Sequence, residues 1–180
     1  MITRVQRRIR IATGAFGSLK EILKSGILSI TSKIQVLNTR VFSTLLYACE
    51  TWTPKCADWK KLDAFEMKCY RKILKIKWYE KIKNEDIRTV TGRQKRISHV
   101  IRERKLQLFG HICRMEDNRL VKLVMTGSIK GKRSVGRPSR KWMDDIREWC
   151  GVKTDQEAVH MAQDRSGPFN KSSRKEAPEI

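Results

Sequence analysis

The sequence predicts an all-α fold: a small bundle of about five to seven helices, with a basic loop that contains glycine and proline and a disordered C-terminal tail. Two observations favour this class. Apolar residues recur at helical spacings of three, four and seven residues through most of the chain. No segment shows the apolar–polar alternation that is typical of an exposed strand.

The first two helices are predicted in residues 3–24 and from Ser29 or Thr31 to about Trp52. A stripe of apolar residues marks the first helix, and the glycine that follows is expected to end it. The second helix is the most apolar segment and therefore the expected core helix. A proline shortly after Trp52 stops it, because proline disfavours helical geometry in the preceding residue.

Two further helices follow before the chain becomes strongly basic. Asp58 is expected to cap a helix over residues 59–76, and Asn84 a short helix through residue 90. Gly92 supplies the next break, since glycine readily adopts the left-handed conformation that ends helices.

Residues 92–115 join an apolar helical stripe to the densest positive face of the chain. Glu103 is the only acid in this stretch. A helix docked on a core through its apolar side would present the cations outward, which predicts a binding helix. The alternative is an ordinary solvated polar face.

Residues 120–141 contain seven cations and no acid. Glycine and proline interrupt the stretch, so it is expected to remain a mobile linker until it meets an anion. An ordinary basic linker without a ligand is the alternative.

Two short helices are predicted near the C-terminus. Ser139 is expected to cap the first, and Gly151 to end it. Thr154 and Glu157 form a capping box for the second, which runs to about Asp164. The predicted domains are a helical domain at 1–116, the linker at 117–141, a helical segment at 142–165 and a disordered tail at 166–180.

Charge indicates the class of partner. The chain has 40 Lys and Arg against 19 Asp and Glu, and a formal net charge of +21. Such self-repulsion favours a polyanionic partner, with nucleic acid first. A membrane is disfavoured because there is no apolar run of about 18 residues, no signal peptide and no lipidation motif. The five cysteines are not closely spaced as in a disulfide framework. They indicate a protein of a reducing compartment, nuclear or cytoplasmic, rather than a secreted protein.

The sequence shows no motif for catalysis, for a cofactor or for a small-molecule substrate. Asp144 and Asp145 are interpreted as structural surface acids rather than a two-metal site, which would need a third carboxylate. No metal site is predicted. Weak zinc candidates remain in Cys49, Cys69, His111 and Cys113, although their spacing lacks the close ligand pairs of zinc motifs.

Five short motifs in order resemble the C-terminal part of LINE-type (non-LTR) retrotransposon endonuclease-reverse transcriptase polyproteins. They are LLYACETW at 45–52, KCYRKIL at 68–74, GHICRM at 110–115, GRP at 136–138 with Trp142 and Asp145, and AQDR at 162–165. The resemblance implies the end of a polymerase thumb and a basic C-terminal segment. The palm motif that carries polymerase chemistry has no counterpart here, so the chain is expected to be a fragment that is not an enzyme by itself. The last dozen residues depart from the family pattern.

The resemblance and the charge agree on a role in holding RNA or an RNA·DNA hybrid without acting on it. The predicted phosphate-binding residues lie on the basic helix and in the linker: Arg96, Arg102, Arg104, Lys105, Arg114, Lys130, Lys132, Arg133, Arg137, Arg140 and Lys141. Trp78, Trp142 or Trp149 would stack on a base if exposed.

Two other interpretations remain open. The apolar faces at 45–52 and 62–73 would pack on the missing polymerase palm if the chain is an interaction module. A decayed or untranslated element would have no function. Binding to nucleic acid would weaken steeply with salt, whereas an apolar interface would not.

Overall fold

The computed structural model describes residues 3–92, 95–126, 136, 140–164 and 169, without the side chains of Trp78 and Thr126. The described residues are helical or irregular and contain no strand, which confirms the predicted all-α class. The chain divides into two compact units, residues 1–101 and 102–180. The division falls within a helix, whereas the sequence placed the end of the first domain at residue 116. No helix in the described part is long and apolar enough to cross a membrane.

The first unit is built from short and long helices with tight connections. They are α1 (Arg4–Ser18), α2 (Lys20–Lys24), α3 (Ile30–Val36), a π-helix (Leu37–Phe42), α4 (Ser43–Leu45), a 3₁₀ turn (Cys49–Thr51), α5 (Cys56–Ile73), a second 3₁₀ turn (Trp78–Glu80) and α6 (Asn84–Thr91). The next helix, α7 (Ile97–Cys113), begins in this unit and gives Ile97 and Ile101 to its core.

The second unit starts within α7. It continues with α8 (Leu120–Thr126), α9 (Trp142–Cys150) and α10 (Asp155–Gln163). The predicted capping box is confirmed, because the Glu157 N–H donates to the Thr154 hydroxyl while the Glu157 carboxylate accepts from the Thr154 N–H. Gly151 ends α9 with φ +68°, as its sequence position predicted.

The predicted second helix is not one regular α-helix. Its hydrogen bonds pass from α3 to the π-helix and back to α4, and α4 ends at Leu45, seven residues before the predicted end at Trp52. Ala48 then takes the left-handed conformation, with φ +54°. The apolar period continues through this turn, which explains why the sequence pattern did not locate the end.

Other helix ends differ by a few residues. The predicted helix over 3–24 breaks at Leu19 into α1 and α2. The helix α5 begins three residues before its predicted start, so Asp58 lies in its first turn. The Asp58 carboxylate still satisfies a helix-start donor, since it accepts the Lys55 N–H at 3.3 Å. Gly92, with φ +64°, ends α6 as predicted.

The core of the first unit is formed where α1 packs against the π-helix, α4 and α5, and α3 packs against α5. Fully buried members include Leu37, Val41, Leu45, Leu62 and Tyr70. Burying a large aliphatic side chain contributes about 1.5–3 kcal/mol relative to exposure. The apolar faces at 45–52 and 62–73, which were predicted to pack on a polymerase palm if the chain is an interaction module, belong to this core. Their residues Leu45, Leu62 and Ile73 are buried within the chain itself.

A buried carboxylate joins three helices of the same unit. Glu66 on α5 is fully buried and accepts the Arg88 guanidinium from α6 at 3.4 Å. It also accepts the Tyr70 hydroxyl at 3.5 Å and the Ile97 N–H at 3.4 Å. A buried charge is tolerated when it is paired and hydrogen-bonded in this way.

The core of the second unit is smaller. Its buried members are Phe109, Cys113, Ile146, Ala158, Ala162 and Phe169. A Cβ atom at Gly110 would lie 2.7 Å from the Phe169 Cβ, so glycine is required where this residue approaches α7.

Two predictions for the C-terminal half need correction. Residues 120–126 form α8 inside the predicted mobile linker, because this end of the linker is aliphatic and supports a helical turn. Phe169 lies in the predicted disordered tail but is 1% exposed, with its ring centroid 5.7 Å from that of Phe109. The helix α9 begins at Trp142 with Lys141 at its N-cap position, two residues after the predicted cap Ser139. Residues 127–135 and 137–139 of the linker and 166–168 and 170–180 of the tail lie outside the described residues.

We predict that Glu66→Ala will destabilise the first unit by about 2–4 kcal/mol, because it leaves the Arg88 cation and the Ile97 N–H without their acceptor. Glu66→Gln, which retains an amide oxygen, should lose less. The measurement is urea unfolding followed by circular dichroism. The control is Glu85→Ala on the exposed side of α6, expected to lose less than about 1 kcal/mol. Equal losses for the two alanine variants would show that the buried network does not hold the helices.

Candidate nucleic-acid interface

The structure gives the predicted phosphate-binding residues unequal access to solvent. Arg96, Arg104, Arg114 and Lys141 are exposed. The Arg114 guanidinium also donates to the Ala162 carbonyl at 2.8 Å, which ties α7 to α10. All four side chains lie at the surface of the described structure.

The prediction that Lys105 contacts phosphate is wrong, because the residue is 0% exposed. Its ammonium donates to the Asp145 carboxylate and lies 4.7 Å and 5.4 Å from the ring centroids of Trp142 and Trp149. Burial lowers the pKa of Lys105, and the hydrogen bond to Asp145 opposes that shift. The residue therefore holds α9 against α7.

Asp145 also corrects the interpretation of the acidic pair. It is buried, and its second oxygen accepts the Arg140 Nε at 2.6 Å. Asp144 accepts the Lys141 N–H at 2.6 Å and the Arg147 guanidinium. The backbone bond at the start of α9 is the leading cause that lowers the pKa of Asp144. Both acids are structural, but Asp145 is not a surface acid.

Two more of the predicted phosphate contacts, Arg140 and Arg102, already interact with groups of the protein. The Arg140 guanidinium pairs with Asp145 and with Glu148, which fixes the residue at the start of α9. The Arg102 guanidinium is half-buried, 5.5 Å from the Trp149 ring centroid. Their charges add to the positive field, but their side chains are held in place by the protein.

The other predicted linker contacts, Lys130, Lys132, Arg133 and Arg137, lie outside the described residues. They remain predictions from the sequence.

Trp142 and Trp149 do not present free stacking faces. Both are half-buried, and both rings lie beside the Lys105 ammonium. The Trp78 side chain lies outside the described residues. With the buried Ile146, Trp142 packs α9 on the core of its own unit.

The thiols of the weak zinc candidates are poor ligands where they lie. Burial raises the pKa of Cys69 to about 12 and that of Cys113 to about 11. Zinc binds the thiolate form, which these surroundings disfavour. Among the described residues, no group of three or more His, Cys, Asp or Glu side chains is placed to hold a metal ion.

A positive surface that the sequence analysis did not assign lies on the first unit. Three adjoining depressions lie along α5. The largest, of about 730 Å³, is lined by α5 and the start of α6, the second lies between α5 and α1, and the third is lined by α1, α2 and Lys72. The largest depression shares Lys72 with the one beside α2, and it shares Ala64 and Lys68 with the one beside α1. We call the surface formed by these three neighbouring depressions the α1–α5 groove.

The α1–α5 groove is lined by eight cations and a single acid, Asp63. The cations are Arg10, Lys20, Lys24, Lys60, Lys61, Lys68, Arg71 and Lys72. Within the described part of the chain, none of the eight forms an ion pair. No ion pair in the described structure therefore neutralises these eight charges.

Two of these cations are positioned by neighbouring groups. The Arg71 guanidinium donates to the Asn84 side-chain oxygen at 2.7 Å and to the Ile82 carbonyl at 3.3 Å. The Lys72 ammonium lies 5.6 Å from the Phe16 ring centroid. A positioned cation loses less conformational entropy when it binds an anion.

A sequence signal for the groove existed. The cations of α5 recur near one helical side, since Lys61, Lys68 and Lys72 are separated by seven and four residues. What the sequence does not indicate is that α1 and α2 pack beside this row and add their own cations.

Neither sequence nor structural comparison identifies a relative of this chain. A scan against protein-family models, a search of curated proteins and a search of solved structures all find no match.

We predict that Lys105→Met will destabilise the second unit by about 2–4 kcal/mol, because the buried Asp145 carboxylate loses one of its two cations. Urea unfolding is the measurement. The matched control is Arg119→Met, an exposed cation of the same unit, which should change stability by no more than about 0.5 kcal/mol. If the two variants were equally stable, Lys105 would have to be a surface residue.

Proposed function

We propose that this chain is the nucleic-acid-binding C-terminal part of a LINE-type retrotransposon endonuclease-reverse transcriptase polyprotein. It holds template RNA or an RNA·DNA hybrid and carries no catalytic residues of its own. Its compartment is then nuclear or cytoplasmic. The observation that carries the proposal is the α1–α5 groove, with eight cations and one acid.

The dimensions of the groove suit a nucleic-acid backbone. Lys60 and Lys72 are twelve residues apart on α5, which corresponds to about 18 Å at 1.5 Å per residue. Phosphates of one strand in a duplex lie about 3.4 Å apart along the axis, so this length spans about five of them. Lysine and arginine bind such phosphates without reading the sequence.

The resemblance supports the same role. The five motifs occur in the family's order, and the region they resemble follows the polymerase palm in that family. RNA or a hybrid is favoured over base-read duplex DNA, because the sequence contains no recognisable duplex-reading module.

A second candidate function is protein interaction, and α8 favours it. Leu120, Val121, Leu123 and Val124 are between 52% and 74% exposed. Four neighbouring exposed aliphatic side chains are typical of an interface. A polymerase palm of the same polyprotein is the partner that the resemblance suggests.

We predict that the chain will bind single-stranded RNA with steep salt dependence. Neutralising about six phosphates gives a slope near −4 in a plot of log affinity against log salt, or roughly two and a half decades between 50 and 200 mM. Fluorescence anisotropy with labelled oligonucleotides measures it. Lys68→Glu together with Lys72→Glu should lower affinity and flatten the slope by about 1.4.

The control carries the same change of charge outside the groove. Arg119→Glu together with Lys153→Glu alters two exposed cations of the second unit and should leave the slope within about 0.5 of the original. A salt-independent affinity would favour the apolar α8 surface instead. Equal effects of the two double variants would remove the α1–α5 groove as the specific contact.

We predict that Asp63→Asn will increase affinity, because it removes the single negative charge of the groove. One of its carboxylate oxygens is buried and has no hydrogen-bond partner among the described residues. The expected gain is about two- to fivefold at low salt, and it should shrink as salt screens the charge. The control is Asp86→Asn on the exposed part of α6. An unchanged or lower affinity for Asp63→Asn alone would place the phosphate path elsewhere.

A further inference from the structure

Tyr47 is an exposed aromatic residue on a tight turn of the first unit. It is 70% exposed, although the neighbouring Leu46 and Cys49 are buried. The Cys49 N–H donates to the Leu46 carbonyl at 3.2 Å, and Ala48 between them has φ +54°. Two buried anchors and a left-handed residue thus close the turn with Tyr47 outside the core.

Arg8 of α1 covers one face of the Tyr47 ring. The guanidinium carbon lies 4.7 Å from the ring centroid. The Arg8 Nε is buried and has no hydrogen-bond partner among the described residues, so stacking on the ring is the contact that orients this part of the side chain. Because the residue is still 70% exposed, the opposite face of the ring is open to solvent.

The surroundings of this pair are cationic. The first seven residues of α1 include Arg4, Arg7, Arg8 and Arg10, and the helix contains no acid. Arg4 lies one turn before Arg8 on the same side of the helix and is exposed. A phosphate next to a base on Tyr47 would therefore meet positive charge.

We propose that Tyr47 is a stacking platform for an unpaired base of a bound single strand, with Arg8 holding the ring from the opposite side. This assignment rests on the proposed function. It adds that the chain recognises an unpaired nucleobase as well as the phosphates. Bases stack on aromatic rings with little sequence preference. A base-paired nucleotide cannot use the ring, because its faces are already stacked inside the duplex.

The test compares Tyr47→Leu with the wild-type chain on two strands of about 12 nucleotides, oligo(dT) and a strand of the same length made of abasic residues. The variant should bind oligo(dT) about 5- to 100-fold more weakly and the abasic strand less than about twofold more weakly. Tyr47→Phe should bind like the wild type. The salt slope should be unchanged in both variants, because no phosphate contact is lost.

The matched control is Tyr79→Leu. Tyr79 is 56% exposed, with the Lys77 ammonium 5.7 Å from its ring centroid, so it has the same chemistry at another site. The platform is overturned if Tyr47→Leu binds oligo(dT) like the wild type, or if it loses as much affinity for the abasic strand. Salt-dependent binding would persist in either case and leave the proposed function standing, whereas a wild-type chain that binds neither strand overturns both.

A covalent measurement does not depend on any variant. An oligonucleotide containing 5-iodouracil, bound to the wild-type chain and irradiated, should cross-link to Tyr47, as located by mass spectrometry of the digested complex. Cross-links to other aromatic residues without Tyr47 would overturn the platform.

Discussion

The shortage of carboxylates relative to cations is the constraint on which both units depend. The chain has 19 acids for 40 cations. Among the residues that the structure describes, three acids are almost completely buried. Asp58 accepts the Thr3 hydroxyl at 3.2 Å, Glu66 joins α5 to α6 and α7, and Asp145 holds Lys105 and Arg140. Because buried charges must be paired, the scarce acids are used as internal anchors. The cations that pair with them, such as Lys105, are withdrawn from the surface at the same time. The excess of positive charge in the composition therefore remains at the surface.

The sequence predicted the fold class and several helix ends for a clear physical reason. Helical periodicity is a local property, and glycine at positions 92 and 151 marks a left-handed helix end whatever surrounds it. The end of α4 was not predictable in this way, because Leu46, Cys49 and Trp52 continue the apolar pattern after the helix has stopped. The buried surface continues there although the backbone changes.

The candidate site was only partly predictable because exposure depends on tertiary packing. Lys105 occupies a polar position in the pattern of α7, and the packing of α9 turns that position into a buried ion pair. The α1–α5 groove is the opposite case. Its α5 cations recur on one helical side in the sequence, but the cations that α1 and α2 add to the groove lie there only because these helices pack beside α5. Composition predicted a cationic surface, and packing selected which cations form it.

Charge alone does not give a preference for single strands. A duplex carries more phosphates per unit length than one strand, and each neutralised phosphate contributes a steeper salt slope, about 0.9 against about 0.7. A groove of cations such as Lys68 and Lys72 therefore favours the duplex if nothing else acts. A preference for unpaired nucleic acid requires a contact that a duplex cannot make, and an exposed aromatic face is such a contact. In a chain of net charge +21, an exposed uncharged ring such as that of Tyr47 is the contact that would supply such selectivity.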